Sequence, residues 1–179
     1  MAIIVVEGID RVGKTTLVNR IQDYFAYDPY LKFNIFKHDE SLFSYDKMDN
    51  DNETDKMMQL IEMVDICGGN IIFDRFHLSE FVYGVCERNY SFRNAYMNRI
   101  LVDDMLCRVG AVLVYVAPVS VAWSSDKHGS DLNMHDKLMK ASFEDSNMKK
   151  IVTSFDKFED DIECEKLVYE IRDFLTEVR

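Results

Sequence analysis

At 179 residues the chain is long enough to bury a full hydrophobic core without disulfides, and 47% apolar with 30% charged residues is an ordinary balance for a soluble single domain, here 1–179. A net charge of -11 argues against a polynucleotide as main ligand, because phosphate backbones are gripped by clustered Lys and Arg. Four cysteines without a C-x-x-C pair and the lack of a long apolar run predict buried, reduced thiols and a cytoplasmic protein that does not enter a membrane.

Ala2 to Val6 is a continuous run of strand formers. It leads into Gly8-Ile9-Asp10-Arg11-Val12-Gly13-Lys14-Thr15, which matches the phosphate-binding loop pattern G-x-x-x-x-G-K-[ST] at every fixed position. Two glycines let the backbone turn tightly enough for successive N–H groups to face an anionic oxygen cluster, and the next helix adds its positive end. Leu17, Val18, Ile21, Tyr24 and Phe25 then recur at helical spacing, so strand, loop and helix follow in the order the motif requires. In this reading Lys14 reaches the outer phosphates and Thr15 holds Mg²⁺.

Lys32 to His38 reads as a second strand, and the Asp-, Asn- and Ser-rich stretch from Ser41 to Asp55 as a mobile loop, with a functional loop and plain disorder both open. From Thr54, Met57, Leu60, Ile61, Val64 and Cys67 mark a helix closed by Gly68-Gly69. Asn70 to Phe73 is a short buried strand delivering Asp74 and Arg75 at its C-terminal end. Phe92 to Arg108 reads as a helix and Ala111 to Val116 as a strand.

Pro118 to Trp123 predicts a helix start that leads to a flap over 124–134. A helix from His135 to Ser146 follows, then a strand from Lys150 to Phe155 and a closing amphipathic helix marked by Cys164, Leu167, Val168, Ile171, Phe174, Leu175 and Val178. The acids Glu159, Asp160, Asp161 and Glu163 fall where that helix's dipole favours them. Strands alternating with helices predict a three-layer α/β/α fold around a parallel sheet of about five strands, whose ligands bind at the C-terminal strand ends. His38, His77, His128 and His135 lack metal-ligand spacing and read as exposed or packing residues, with Trp123 as core at the flap's root. Phe155 and Lys157 lie at and just past the end of the last strand, a position that by analogy with kinases of such an architecture would take adenine.

Three classes of phosphate-loop protein compete. A switch GTPase carries D-x-x-G after a strand and an N-K-x-D; Asp65-Ile66-Cys67-Gly68 ends a helix instead, and N-K-x-D does not occur. A hydrolysing motor follows its magnesium Asp with a Glu that activates water, whereas Arg75, which cannot accept a proton, follows Asp74. A kinase needs a second anion site near the first, and Arg11 and Arg75 provide fixed positive charge for one.

The stretch from Val6 to Thr16, with its Glu-Gly pair and doubled hydroxyl, resembles the opening motif of the thymidylate kinases. Asp74-Arg75-Phe76-His77-Leu78-Ser79-Glu80-Phe81-Val82-Tyr83 is similar to that family's D-R-Y-x-x-S-x-x-A-Y. The resemblance implies a P-loop kinase fold with a lid, and ATP held by Gly8, Asp10, Arg11, Val12, Gly13, Lys14, Thr15 and Thr16. It implies that Asp74 supports the metal, that Asp10 lies near the acceptor's sugar, that Arg75 clamps the acceptor phosphate, and that Phe76, Ser79 and Tyr83 line the acceptor site. Members of that family with an arginine in the loop lack arginines in the flap, and none falls between Ser124 and Lys150, so the resemblance implies that Arg11 stabilises the transferring phosphoryl group. A homodimer, through helices such as Thr54–Cys67, is also implied.

Two departures bear on the acceptor. His38-Asp39-Glu40-Ser41 stands where the family has Arg-Glu-Pro, and Thr54 to Cys67 offers neither the Phe nor the Arg that hold thymine, only methionines and aliphatics. Met-rich walls adapt to several shapes. The reading is therefore a kinase of dTMP or another deoxynucleoside monophosphate, with broadened or altered base choice. A deoxynucleoside kinase using Glu7 or Asp74 as base, and a non-catalytic nucleotide sensor, are the alternatives.

Overall fold

The computed structural model describes residues 1–28, 30–37, 50–119 and 132–176. Most of the expected flap, most of the acidic loop, His38, His128, Trp123 and Val178 lie outside the described residues. The elements in order are β1 (Ala2–Glu7), α1 (Lys14–Phe25), β2 (Asn34–Lys37), α2 (Asn50–Cys67), β3 (Asn70–Asp74), α3 (His77–Glu87), α4 (Phe92–Arg108), β4 (Val112–Ala117), α5 (Leu132–Asp145), β5 (Lys149–Ser154), α6 (Phe155–Glu159) and α7 (Asp161–Thr176).

The five strands form one parallel sheet in the order β2-β3-β1-β4-β5. β1 lies at its centre because it alone has six successive buried residues, while the edge strands β2 and β5 keep exposed positions. Side chains alternate across the sheet. Ala2, Ile4 and Val6 pack with Leu17, Ile21 and Ile171 of α1 and α7. Ile3 and Val5 pack with Met57, Phe73 and Leu106 on the face covered by α2 and α4.

α2 begins at Asn50, inside the stretch expected as loop. Its first residues are Asp, Asn and Glu, a composition that suits a loop but equally a helix N-terminus, whose dipole favours acids. Gly68 ends it in the left-handed region, and the Gly69 N–H donates to the Val64 carbonyl at 3.3 Å. α3 was not anticipated. Leu78, Phe81, Val82, Val85 and Cys86 recur at helical spacing, and burial runs without a gap from His77 to Gly84 because α4 and α5 both pack against this helix. Asp160 caps α7 by accepting from the N–H groups of Ile162 and Glu163, at 2.9 and 3.0 Å. Of the cysteines only Cys164 is buried; Cys86 and Cys107 are half-buried and Cys67 is exposed at the end of α2, against the expectation of buried thiols.

Behind α3, the buried Asp103 carboxylate accepts from His77 at 3.1 Å, the Ser146 hydroxyl at 2.7 Å and the Asn147 N–H at 3.2 Å. Burial alone would push its pKa up, but these three bonds outweigh it and hold the carboxyl below its usual range. A depressed folded-state pKa contributes stability that is present above the unfolded value and lost as pH falls through the folded one. Asp103→Asn is expected to cost about 2 kcal/mol in urea unfolding at pH 7, with the deficit closing under strongly acidic conditions.

Candidate active site

The residues expected to touch phosphate converge at the C-terminal ends of β1 and β3. The loop after β1 needs its glycines: a Cβ on Gly8 would lie 2.6 Å from the Val116 carbonyl oxygen, and one on Gly13 2.5 Å from the Phe155 ring. Both have positive φ, 148° and 89°. Arg11 shares that region at φ 65°, a conformation a side chain adopts at some cost.

Lys14 opens α1. It is 5% exposed, and its ammonium donates to the Ile9 carbonyl inside the loop. Burial pulls its pKa down from 10.5 to about 8, against the opposing pull of Asp74 and Glu7. Thr15 donates from its hydroxyl to Asp74 Oδ2 at 2.8 Å, which joins α1 to the end of β3. The pair offers oxygen donors suited to Mg²⁺. Val12 contributes only backbone to the loop, its side chain being buried in the core, while Thr16 stands exposed beside Thr15.

Arg75 follows β3 at φ 69°, its N–H donating to the Val6 carbonyl at 3.0 Å. That turn brings its guanidinium back to the loop, where it pairs with the Asp10 carboxylate and lies 5.4 Å from the centre of the Tyr83 ring. Tyr83 is buried and meets His135 of α5 edge-on at 4.9 Å. A polar cavity of about 390 Å³ opens between loop and strand ends, lined by Arg11, Lys14, Thr15, Lys37, Asp74 and Arg75 among others. Lys37 went unnoticed in the sequence. It ends β2 in register with Asp74, and the signal was a cation at a strand's C-terminal end.

Two residues expected at the acceptor side lie elsewhere. Phe76 is fully buried, its ring stacked on Phe73 with centroids 4.1 Å apart. Ser79 is buried and its hydroxyl donates to Glu7 Oε2. Glu7 Oε1 also accepts from the N–H groups of Phe76, Leu78 and Ser79 at 2.9, 3.0 and 3.3 Å, so Glu7 caps the N-terminus of α3. The reason is strand order: β1 and β3 are neighbours, and the last residue of one strand reaches the first turn after the other.

A second, mostly apolar cavity of about 360 Å³ adjoins the first at Arg11 and Gly13. Its walls are the loop, Pro118 and Val119 beyond β4, the first turn of α5, and Phe155. Lys157 is exposed on α6 and is not among its lining residues.

A glycine loop between β1 and α1, on a parallel sheet with an Asp at the end of the neighbouring strand, defines the P-loop NTPase fold. Solved structures with a similar fold include a thymidylate kinase. The chain superposes on a YorR protein of Bacillus subtilis, solved in complex with phosphorylated GDP, with TM-score 0.67, 17% identity and 96% of each chain covered. It superposes on the thymidylate kinase of Ehrlichia chaffeensis with TM-score 0.56 and 15% identity, over 84% of this chain and 85% of that one. No protein-family model and no curated protein sequence matches the chain.

Proposed function

We propose that this protein transfers the γ-phosphoryl group of a nucleoside triphosphate such as ATP to the phosphate of a deoxynucleoside monophosphate. The observation that carries the reading is the cation count of one cavity. Arg11, Lys14, Lys37 and Arg75 line it together, which suits two phosphorylated ligands held against their mutual repulsion.

The loop N–H groups and Lys14 hold the donor's outer phosphates. Thr15 and Asp74 would hold Mg²⁺, which when bound supplies charge neutralisation on the donor. Arg75 and Lys37 fix the acceptor phosphate, Asp10 orients Arg75 beside the acceptor's sugar, and Arg11 balances charge on the group in flight. An attacking phosphate oxygen is already anionic and needs no base. That bears on the alternative of a nucleoside kinase: Glu7 is fully buried and held by four donors, and Asp74 is tied to Thr15.

The test is turnover with Mg²⁺ and either ATP or GTP against nucleosides, ribonucleotides and deoxynucleoside monophosphates, with products separated by chromatography. Formation of a deoxynucleoside diphosphate is expected. Phosphorylation of nucleosides alone would overturn the acceptor assignment, and tight nucleotide binding with no turnover would favour a sensor. Among the described residues no helix is long and apolar enough to cross a membrane.

The pairing of two copies is part of this reading. Met63 and Ile66 on α2 and Met97 and Leu101 on α4 are each at least half exposed, with Ile66 at 85%. They provide an apolar face for a second copy. Light scattering is expected to give twice the monomer mass, and Ile66→Asp to reduce it to one.

A further inference from the structure

The first turn of α5 faces two ways. Leu132 and Asp136 line the apolar cavity beside the loop, and the Tyr115 hydroxyl of β4 donates to Asp136 Oδ1 at 2.5 Å, which fixes the turn against the sheet. His135, from the same turn, packs instead against α3. It is 2% exposed and is not among the residues lining either cavity. There it spans Tyr83 and Glu87, which are four residues apart and so share one face of α3.

Packing alone does not account for a histidine at this position. Its Nδ1 is buried with no hydrogen-bond partner among the described residues, and its Nε2 lies 3.6 Å from Glu87 Oε1, beyond hydrogen-bond reach. A polar ring buried in this way carries a desolvation cost that Phe or Leu would not. What the ring touches is the Tyr83 side chain, edge-on, with centroids 4.9 Å apart and planes at 62°. The same tyrosine ring has the Arg75 guanidinium 5.4 Å from its centre. Of these three residues only Arg75 lines the phosphate cavity. Asp10 holds its Nη2, and the Tyr83 ring supports the guanidinium. A long side chain held in this way loses less freedom when an anion binds.

We infer that His135 is a positioning residue for the acceptor: it holds Tyr83 where that ring presents Arg75 to the acceptor phosphate. It acts through the tyrosine and does not touch the substrate. The inference rests on the reading of Arg75 as the acceptor clamp and goes beyond it by naming what aims the clamp.

The test is calorimetric titration of the full chain with dTMP, dCMP, dAMP and dGMP, and separately with ATP in Mg²⁺. His135→Leu fills much of the same space without a flat ring edge or a buried nitrogen. It is expected to weaken binding of the monophosphate that the wild type takes about tenfold, to leave ATP within about twofold, and to raise the urea midpoint. A histidine that served only the fold would lose stability and both ligands together. His135→Phe restores a ring edge and is expected to return acceptor affinity to within about twofold of wild type. In an Arg75→Lys background, where no guanidinium plane remains, His135→Leu should weaken the acceptor no further. Unchanged acceptor affinity in His135→Leu overturns the inference and leaves the kinase reading intact. So does failure of Phe to restore it, or a full further loss in the Arg75→Lys background. A Leu variant less stable than wild type, or one that loses ATP equally, assigns His135 to the fold and also overturns it. If none of the four monophosphates binds the wild type, the acceptor reading falls together with this one.

Discussion

Lys14→Met is expected to abolish phosphoryl transfer and, at neutral pH, to stabilise the folded protein. The two effects have one cause. Lys14 is a buried cation whose ammonium has only the Ile9 carbonyl as a hydrogen-bond partner among the described residues, and its pKa is pulled down to about 8 by burial. Holding it charged costs folding free energy, which nucleotide phosphates would offset on binding. The unfolded chain, with a lysine near 10.5, binds more protons than the fold between pH 8 and that value. Wild-type stability therefore rises with pH through that window, and below pH 8 the full penalty is present. At about 1.4 kcal/mol per pKa unit, Met is expected to gain about 1–3 kcal/mol at pH 7, part being returned through the Ile9 carbonyl left without its donor. Urea unfolding at pH 7 and pH 10 measures it: the gap between variant and wild type should shrink at the higher pH. A variant that keeps its activity, or one less stable at pH 7, contradicts the role given to this lysine.

Arg11→Gly is expected to lower kcat about a thousandfold, with KM for both substrates changed only a few-fold. Arg11 lies in the loop, exposed, between the two cavities, at φ 65°. Glycine adopts that conformation freely, so the substitution removes the cation without straining the loop, and stability should stay within about 1 kcal/mol of wild type. A cation that acts on charge developing in transit affects kcat; one that merely holds ground-state phosphate affects KM. A large rise in KM with kcat unchanged would move Arg11 from transition-state stabiliser to binding residue. Arg75, paired with Asp10 and set against Tyr83, is the residue expected to show that second pattern toward the acceptor.

The phosphate loop was legible in the sequence because its chemistry is local. Gly8, Gly13, Lys14 and Thr15 act through backbone turns and side chains within eight residues of one another, flanked by an apolar strand and a periodic helix. The strands carrying Asp74 and Tyr115 were legible for a similar reason, since a short apolar run in an α/β pattern has few alternatives. α3 carried a helical period too, in Leu78, Phe81, Val82, Val85 and Cys86, but those residues lie inside and beside the stretch read as a binding motif. The start of α2 was not legible, because acids that mark a helix N-terminus also mark a loop.

What only the tertiary structure decided are the pairings between strand ends. Glu7 is 69 residues from Phe76, yet it caps α3 because β1 lies beside β3. That adjacency makes Glu7 and Ser79 partners and leaves Phe76 in the core. Lys37 joins the phosphate cavity only through its register with Asp74, and Asp136 faces a cavity only because α5 packs beside the loop. A sequence shows which residues have the chemistry for a site. Which of them are held by one another, and which remain directed at a ligand, depends on strand order, because contacts between sheet ends join residues that no local period connects.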